Sequence, residues 1–207
     1  MGGGARKGKP MILGLGHDVV DVDAFAEQLA RPGSRMRRLF SVRELRQARA
    51  CAQVRHDDEA THLAAKWAGK EAALKAWCEA LGKRPYPYTL DDFPWAGVEV
   101  LDDSRGRPHL ALRDDVAASL RASLGLTPSS PHAARGVTPP VCVPAAGAGS
   151  SAKACSYAEV GSSGGTPPAV ASFVDAGAPE VFSSLAWHVS LSHDGPVASA
   201  VVILETV

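Results

Sequence analysis

One alanine-rich stretch constrains this chain more than any other, because it predicts a single long helix that ends at about Gly82. Asp57 or Asp58 can cap its start, and Glu59 would lie in the first turn, where the helix dipole favours an anion. Glycine just past the last helical residue is a common stop signal. We therefore expect the other elements to be arranged around this helix.

The second half of the helix carries one carboxylate among three ammonium groups. At about 100° per residue, Lys66 and Lys70 share one side, and Glu71 and Lys75 share the next. One interpretation is a solvated charged face with a weak Glu71–Lys75 pair. The other is a site for a polyphosphate and its divalent cation. The helix alone leaves both open.

Length and composition limit the architecture more than the function. The chain has 207 residues, 45% of them apolar, which suits one domain with a sizeable core. Basic and acidic residues number 22 each, so net charge indicates no partner. No apolar run has the length of a membrane span. The cysteine spacings match neither a zinc site nor a CxxC motif, which favours reduced thiols in a cytoplasmic protein. These cysteines are Cys51, Cys78, Cys142 and Cys155.

An apolar strand is predicted to begin at Met11, after a disordered leader over residues 1–10. Asp18 interrupts the apolar run, and strand periodicity puts Asp21 and Asp23 on the opposite face. A half-buried carboxylate needs a partner, and a cation is the obvious one. The alternative is that Asp18 caps a turn, with Gly14 and Gly16 marking irregular backbone.

A basic segment follows a short helix that Asp23 can cap. Between residues 31 and 49 there are seven arginines and one acid, Glu44, with Met36, Leu39 and Phe40 interleaved. Ser41 and Glu44 form a capping box for the next helix. Arginines mixed with exposed apolar side chains favour docking to an acidic, partly apolar partner. Nucleic acid is the alternative, but no recognition motif accompanies the segment and the chain is neutral overall.

The amino-acid composition changes between residues 127 and 184. Of these 58 residues, 37 are Ala, Gly, Ser or Pro and five are charged, which predicts a mostly disordered insert. The preceding residues read as a hairpin over about 97–112 and a helix from Asp114 to about Leu124.

A final hairpin follows the insert. His188, Ser190 and Ser192 alternate with apolar residues in the first strand, and a buried strand starts at Val197. The polar row is either an ordinary half-exposed strand face or part of a binding site.

Together, three motifs resemble the holo-acyl-carrier-protein synthases, the small trimeric type of 4′-phosphopantetheinyl transferase. The motifs are Gly16-His-Asp18-Val-Val, Lys66-Trp-Ala-Gly-Lys70-Glu71-Ala-Ala-Leu-Lys75-Ala and His188-Val-Ser-Leu-Ser-His193. The resemblance covers Met11 to about Leu124 and Trp187 to Val207. It implies an α+β fold, with a small antiparallel sheet packed on a long central helix, forming one domain over 11–207 that the insert interrupts, and assembling as a homotrimer.

The resemblance also implies a reaction in fatty acid biosynthesis. Such enzymes move the phosphopantetheine arm of coenzyme A onto a serine of apo acyl carrier protein and release adenosine 3′,5′-bisphosphate. By this likeness Asp18 and Glu71 would hold Mg²⁺ and, with Lys75, be catalytic. Lys66, Lys70 and Lys75 would bind phosphates, and Ser192 and His193 would contact the nucleotide end. The carrier protein would face Arg31, Arg35, Arg37, Arg38 and Phe40.

Two rival interpretations belong to other classes. One is a non-enzymatic module of the same fold that binds a carrier protein, but binding alone does not need paired carboxylates. The other is a different Mg²⁺-dependent nucleotide enzyme, against which the sequence offers neither a P-loop nor a Gly-x-Gly-x-x-Gly run.

Overall fold

The computed structural model describes residues 9–89, 91–126 and 184–207. They form β1 (Met11–Asp21), α1 (Val22–Ala30), α2 (Val42–Arg55), α3 (Glu59–Leu81), β2 (Val98–Asp102), β3 (Pro108–Leu112), α4 (Asp114–Ser123), β4 (Leu185–Asp194) and β5 (Val197–Thr206). Short 3-10 helices lie at Met36–Leu39 and Trp95–Gly97. All these elements belong to one unit, Met1–Pro128 with Pro179–Val207. Residues 1–8 of the predicted leader and 127–183 of the predicted insert lie outside the described residues.

The strands form two antiparallel sheets. One has the order β1-β5-β4, with β5 in the centre, and the other is the hairpin β2-β3. The long helix α3 packs on the inner face of the three-stranded sheet, where Ala200, Val202 and Leu204 are buried. The predicted α+β architecture is therefore confirmed. Within the described ranges, no helix combines the length and apolarity needed to cross a membrane.

Two glycines let α3 approach β1 unusually closely. A Cβ at Gly14 would lie 2.0 Å from the Ala76 carbonyl oxygen, and one at Gly16 would lie 1.8 Å from that of Ala72. Both are far inside van der Waals contact, so only glycine fits. A register shift does occur between Ile12 and Gly14, but Gly16 pairs regularly with Val202. The alternative that both glycines mark irregular backbone therefore holds near Gly14 and is wrong for Gly16.

Apolar side chains gather in two clusters along α3. The C-terminal half of the helix packs with the sheet, β2 and α4, around Trp77, Leu120 and Leu204. The N-terminal half packs with α1 around Phe25 and Leu63. A helix buried on nearly every side needs small residues to admit its neighbours, which explains why α3 is rich in alanine.

The helix caps agree with the sequence at α2 and α3 and differ at α1. Ser41 and Glu44 form the predicted capping box at α2. Helix α1, however, is capped by Asp21, whose carboxylate accepts from the Ala24 amide at 2.9 Å, and not by Asp23. Asp58, one of the two expected residues, occupies the cap position of α3 without a side-chain bond, and the other, Asp57, hydrogen-bonds His62 at 2.8 Å.

Candidate active site

Strand β1 delivers Asp18 to the inner face of the sheet, two residues beyond Gly16. Its side chain is 10% exposed, and Lys75 Nζ donates to Asp18 Oδ1 at 2.7 Å and to the His17 carbonyl at 3.1 Å. Asp18 pairs with Ala200 inside regular strand. The alternative that it caps a turn is therefore wrong. Asp18 is a buried carboxylate facing α3, as the interruption of the apolar run indicated.

Glu71 is the second carboxylate at this position. Burial raises the pKa of Glu71 to about 8, and the neighbouring charge of Asp18 and a hydrogen bond between the two carboxyls add to the rise. The charge of Lys75 and a hydrogen bond from the Trp67 indole oppose it. A carboxyl held this way binds a proton at neutral pH unless a cation takes the proton's place.

One oxygen of the pair has no partner. Asp18 Oδ2 is buried, and nothing among the described residues donates to it when both carboxyls are ionised. Either a proton on Glu71 or a bound cation satisfies this atom. Within the described ranges, no group of three or more His, Cys, Asp or Glu side chains could hold a metal unaided. Two carboxylates suit Mg²⁺, which keeps water ligands and completes its shell with substrate phosphate.

Lys66 does not lie with these carboxylates. It is 3% exposed, and its ammonium donates to Asp102 Oδ2 at 2.9 Å, to the Val100 carbonyl at 2.9 Å and to Gln47 Oε1 at 3.3 Å. These partners belong to α2 and β2. The ammonium is therefore fully engaged on a different side of α3.

Lys70 is likewise buried, with no exposed side-chain surface. It forms an ion pair with Glu44 Oε2 at 2.9 Å and donates to the main-chain carbonyls of Trp95, at 2.8 Å, and Val98. Burial lowers the pKa of Lys70, while Glu44 opposes the fall. These contacts correct the expectation that Lys66 and Lys70 lie with the phosphates. Lys75, which is about half exposed, is the predicted lysine that reaches the carboxylates.

Strand β4 sends Ser192 and His193 to opposite faces of the sheet. Ser192 is exposed on the outer face with His188, and His188 bonds Glu205 at 2.7 Å. His193 faces inward, where its ring packs edge-on against His62 at 5.9 Å and its Nε2 lies 3.5 Å from Arg55 Nη1. The two predicted nucleotide contacts therefore do not meet within one copy of the chain.

The basic segment divides into exposed arginines and a buried aromatic ring. Arg31, Arg35 and Arg38 are exposed, whereas Arg37 makes a two-pronged ion pair with Glu59 at 2.9 and 3.0 Å. Phe40 is 4% exposed and packs edge-on against Phe25 and Trp67. The expectation that Phe40 contacts a partner is therefore wrong, because the Met36–Leu39 turn directs the ring into the core.

Comparison with known proteins identifies the superfamily to which the chain belongs. Residues 14–134, more than half of the chain, match the model of the 4′-phosphopantetheinyl transferase superfamily. The holo-[acyl-carrier-protein] synthase of Bifidobacterium adolescentis is 43% identical over 201 residues, covering 94% of this chain and 99% of that protein. The chain belongs to this superfamily.

Two further similar proteins align over less of the chain or at lower identity than this relative. The holo-[acyl-carrier-protein] synthase of Corynebacterium glutamicum is 39% identical over 119 residues, 58% of this chain and 86% of that protein. Among solved structures, the Chronobacterium ammoniagenes ACPS-CoA complex has a TM-score of 0.60 at 27% identity, covering 94% of this chain and 97% of that one. The same fold therefore carries coenzyme A in that complex.

Proposed function

We propose that this protein transfers the 4′-phosphopantetheine group of coenzyme A to a serine of apo acyl carrier protein, giving holo carrier protein and adenosine 3′,5′-bisphosphate. The observation that carries the proposal is the pairing of buried Asp18 with half-buried Glu71 in a chain 43% identical to holo-[acyl-carrier-protein] synthases. A non-enzymatic binding module is not favoured, since a binding surface has no use for a buried oxygen left without a donor.

Mg²⁺ fits the pair better than a softer metal does. The donors are two carboxylates, and the orphaned Asp18 Oδ2 calls for a cation. When bound there, Mg²⁺ would polarise the pyrophosphate and neutralise charge on the leaving group. Lys75 would turn its ammonium from Asp18 toward the phosphates, because it is half exposed and stands beside the pair. Asp18 and Glu71 would hold that cation in place, since carboxylates repel a pyrophosphate when no cation lies between them.

His193 is the residue we assign to the nucleotide end, together with its neighbours Arg55 and His62. Their grouping places one guanidinium and two imidazole rings beside the junction of α2 and α3. Ser192 would join such a contact only from a second copy of the chain, because it lies on the outer face of the sheet.

We assign the exposed apolar side chains on the outer face of the sheet to the interface of a homotrimer. Leu15 and Val19 of β1 and Val197 and Val201 of β5 are between 37% and 56% exposed, and strand pairing places all four on the same face. A sheet face with this much exposed apolar surface is typical of a subunit interface. Light scattering of the purified protein tests the assembly, and Val19→Glu with Val201→Glu should yield monomers.

The carrier protein would dock on the exposed arginines that follow α1. Arg31, Arg35 and Arg38 are exposed in this segment, and Arg37, paired with Glu59, lines a groove of about 370 Å³ with Ala26 and Leu29 of α1. Arginine forks onto carboxylates and is always charged, so the surface suits an acidic, partly apolar helix.

Two further assignments complete the proposal. The domain would run over 11–207, with the 127–184 insert as a tether within it. The reaction would supply fatty acid biosynthesis. It would take place in the cytoplasm, a reducing compartment in which cysteines such as Cys51 and Cys78 stay free thiols.

Intact mass spectrometry of an apo acyl carrier protein tests the central claim. Incubation with this protein, coenzyme A and Mg²⁺ should add one phosphopantetheine arm, and EDTA should prevent it. No addition to several carrier proteins, with coenzyme A still bound, would favour a binding module. Addition that survives EDTA would refute the metal.

A further inference from the structure

Arg37 and Glu59 line a groove whose other lining is mostly apolar. The groove has a volume of about 370 Å³ and lies between the C-terminal end of α1 and the N-terminal end of α3. Its remaining lining residues are Ala26, Leu29 and Ala30 of α1, with Asp58 and Ala60 at the start of α3. A partly apolar helix that entered this groove would therefore meet the Arg37–Glu59 pair.

The ion pair engages the arginine that faces this groove. Arg37 Nη1 donates to Glu59 Oε1 at 2.9 Å, and Arg37 Nη2 donates to Glu59 Oε2 at 3.0 Å, so both carboxylate oxygens accept. The hydrogen bonds from Arg37 hold the pKa of Glu59 below its ordinary value, although burial opposes the fall. Glu59 is therefore an anion at neutral pH, and its charge offsets that of Arg37 in the groove.

A two-pronged contact with a carboxylate is also the geometry by which arginine recognises an acidic partner. Glu59 thus occupies two donors of Arg37 that a carboxylate of the partner would use. The pair is accessible, since the side chain of Arg37 is 51% exposed and that of Glu59 is 27% exposed. Ion pairs near the surface contribute little to stability, so a carboxylate from outside can exchange with Glu59 at small cost.

We propose that Glu59 is an internal competitor for the docking arginine Arg37, and that it favours carrier proteins whose docking helix presents a carboxylate to this groove. The proposal rests on the proposed function, because it deepens the docking surface assigned there. A helix with a carboxylate opposite Arg37 displaces Glu59, whereas a helix without one leaves the pair closed. The groove therefore discriminates against weakly acidic partners as well as attracting acidic ones.

The first test removes the competitor and keeps the length of its side chain. Glu59→Gln should lower the Kd of an apo acyl carrier protein for the full chain by about threefold to fivefold. Fluorescence anisotropy of the labelled carrier protein measures this Kd at an ionic strength of about 0.15 M, where distant charges are largely screened. Thermal unfolding shows whether the variant folds as the wild type does.

The matched control is Asp58→Asn. Asp58 lines the same groove, and its side chain makes no cap bond to α3. The substitution removes one negative charge, leaves the Arg37–Glu59 pair in place and keeps a residue type that suits a helix cap. It should change the Kd by less than about twofold, because it releases no arginine. An equal gain in both variants would mean that net charge alone acts, and would overturn the proposal.

A second comparison shows whether the effect depends on Arg37. In a chain that already carries Arg37→Gln, Glu59→Gln should change the Kd no more than Asp58→Asn does, because no guanidinium is left to release. An undiminished gain in that background would mean that Glu59 repels the partner directly. A higher Kd in Glu59→Gln alone would mean that Glu59 positions Arg37 for the partner. Either result would overturn the competitor role.

The outcomes also separate this proposal from the docking surface and from the reaction. Binding that is unchanged in Glu59→Gln but weakened by Arg35→Glu with Arg38→Glu would refute the competitor and keep the surface. A wild-type chain that binds no carrier protein would overturn both. Because anisotropy measures binding without transfer, a chain that binds the carrier protein but fails the mass-spectrometry test would refute the reaction and leave this comparison valid.

Discussion

The two charged sides of α3 carry the same kinds of residue in different states. On the side that faces α2 and β2, Lys70 and Glu44 are both completely buried, and the lysine also binds two carbonyls. On the side that faces β1, Lys75 is half exposed, and among the described residues only a protonated Glu71 can donate to the buried Asp18 Oδ2. A buried charge that keeps its partner is tolerated within the fold, whereas a buried group left unpaired costs free energy unless a ligand binds it. The unpaired side is the candidate for chemistry.

Removing the carboxylate on the β1 side should have the largest effect. Glu71→Gln deletes a metal ligand worth several kcal/mol in the transition state, so transfer should fall by about a thousandfold. Stability should not fall, because the variant removes a carboxyl that is costly to ionise. Carrier modification followed by mass spectrometry measures the rate, and calorimetry measures stability. A folded Glu71→Gln variant with normal activity would sink the metal assignment.

Removing the lysine on the α2 side should act on stability instead. Lys70→Met leaves Glu44 buried without its cation, which should lower the free energy of unfolding by about 3–5 kcal/mol. Activity per folded molecule should stay close to that of the wild type. Urea unfolding gives the first quantity, and transfer rates normalised to the folded fraction give the second. A stable but inactive Lys70→Met protein would return this lysine to the phosphate site.

Charge reversal on the basic segment should affect one substrate only. Arg35→Glu with Arg38→Glu should raise the KM for carrier protein by about tenfold, with a much smaller change for coenzyme A. Arg37→Glu serves for comparison. It also breaks the intramolecular ion pair with Glu59, so its effect on KM would combine a loss of docking with a loss of stability. Equal effects on both KM values would contradict the docking surface.

The pH dependence of the apparent Mg²⁺ affinity should be a smaller effect. With the pKa of Glu71 at about 8, Mg²⁺ competes with one proton, and its apparent affinity should rise at most tenfold per pH unit as pH increases toward 8. Activity measured against Mg²⁺ at several pH values gives this slope. A flat response would mean that Glu71 is already ionised in the free protein.

Stability of the metal-free protein should change in the opposite direction. The folded pKa of Glu71 exceeds its ordinary value of 4.5, so the folded protein binds this proton more tightly than the unfolded chain does. The stability that Glu71 contributes is therefore complete below about pH 4.5 and is lost as pH rises toward 8. Glu71→Gln should remove this part of the pH dependence, as thermal unfolding across that range would show.

Local periodicity was enough to predict the β1 side of the site. Strand alternation put Asp18 inside, and helical spacing put Glu71 and Lys75 together. The same spacing grouped Lys66 with Lys70 correctly, but their partners Asp102 and Glu44 lie 36 and 26 residues away in sequence, where no local pattern identifies them. Glu44 was recognised as a capping residue, which it is, while its second role depends on tertiary packing.

Phe40 shows a further limit of sequence reasoning. Its arginine neighbours indicated an exposed surface, yet a single turn of 3-10 helix is enough to send one ring inward. Composition describes a segment as a whole, whereas burial is decided residue by residue.

The glycines of β1 also bear on how this enzyme can change over evolution. A methyl group at Gly16 would force the Ala72 backbone outward, and with it the turn of α3 that carries Glu71. Misplacement of reacting groups by about 1 Å can cost a hundredfold in rate. Mutational scanning should therefore find Gly16 as intolerant as a catalytic residue, although it has no side chain with which to touch a substrate.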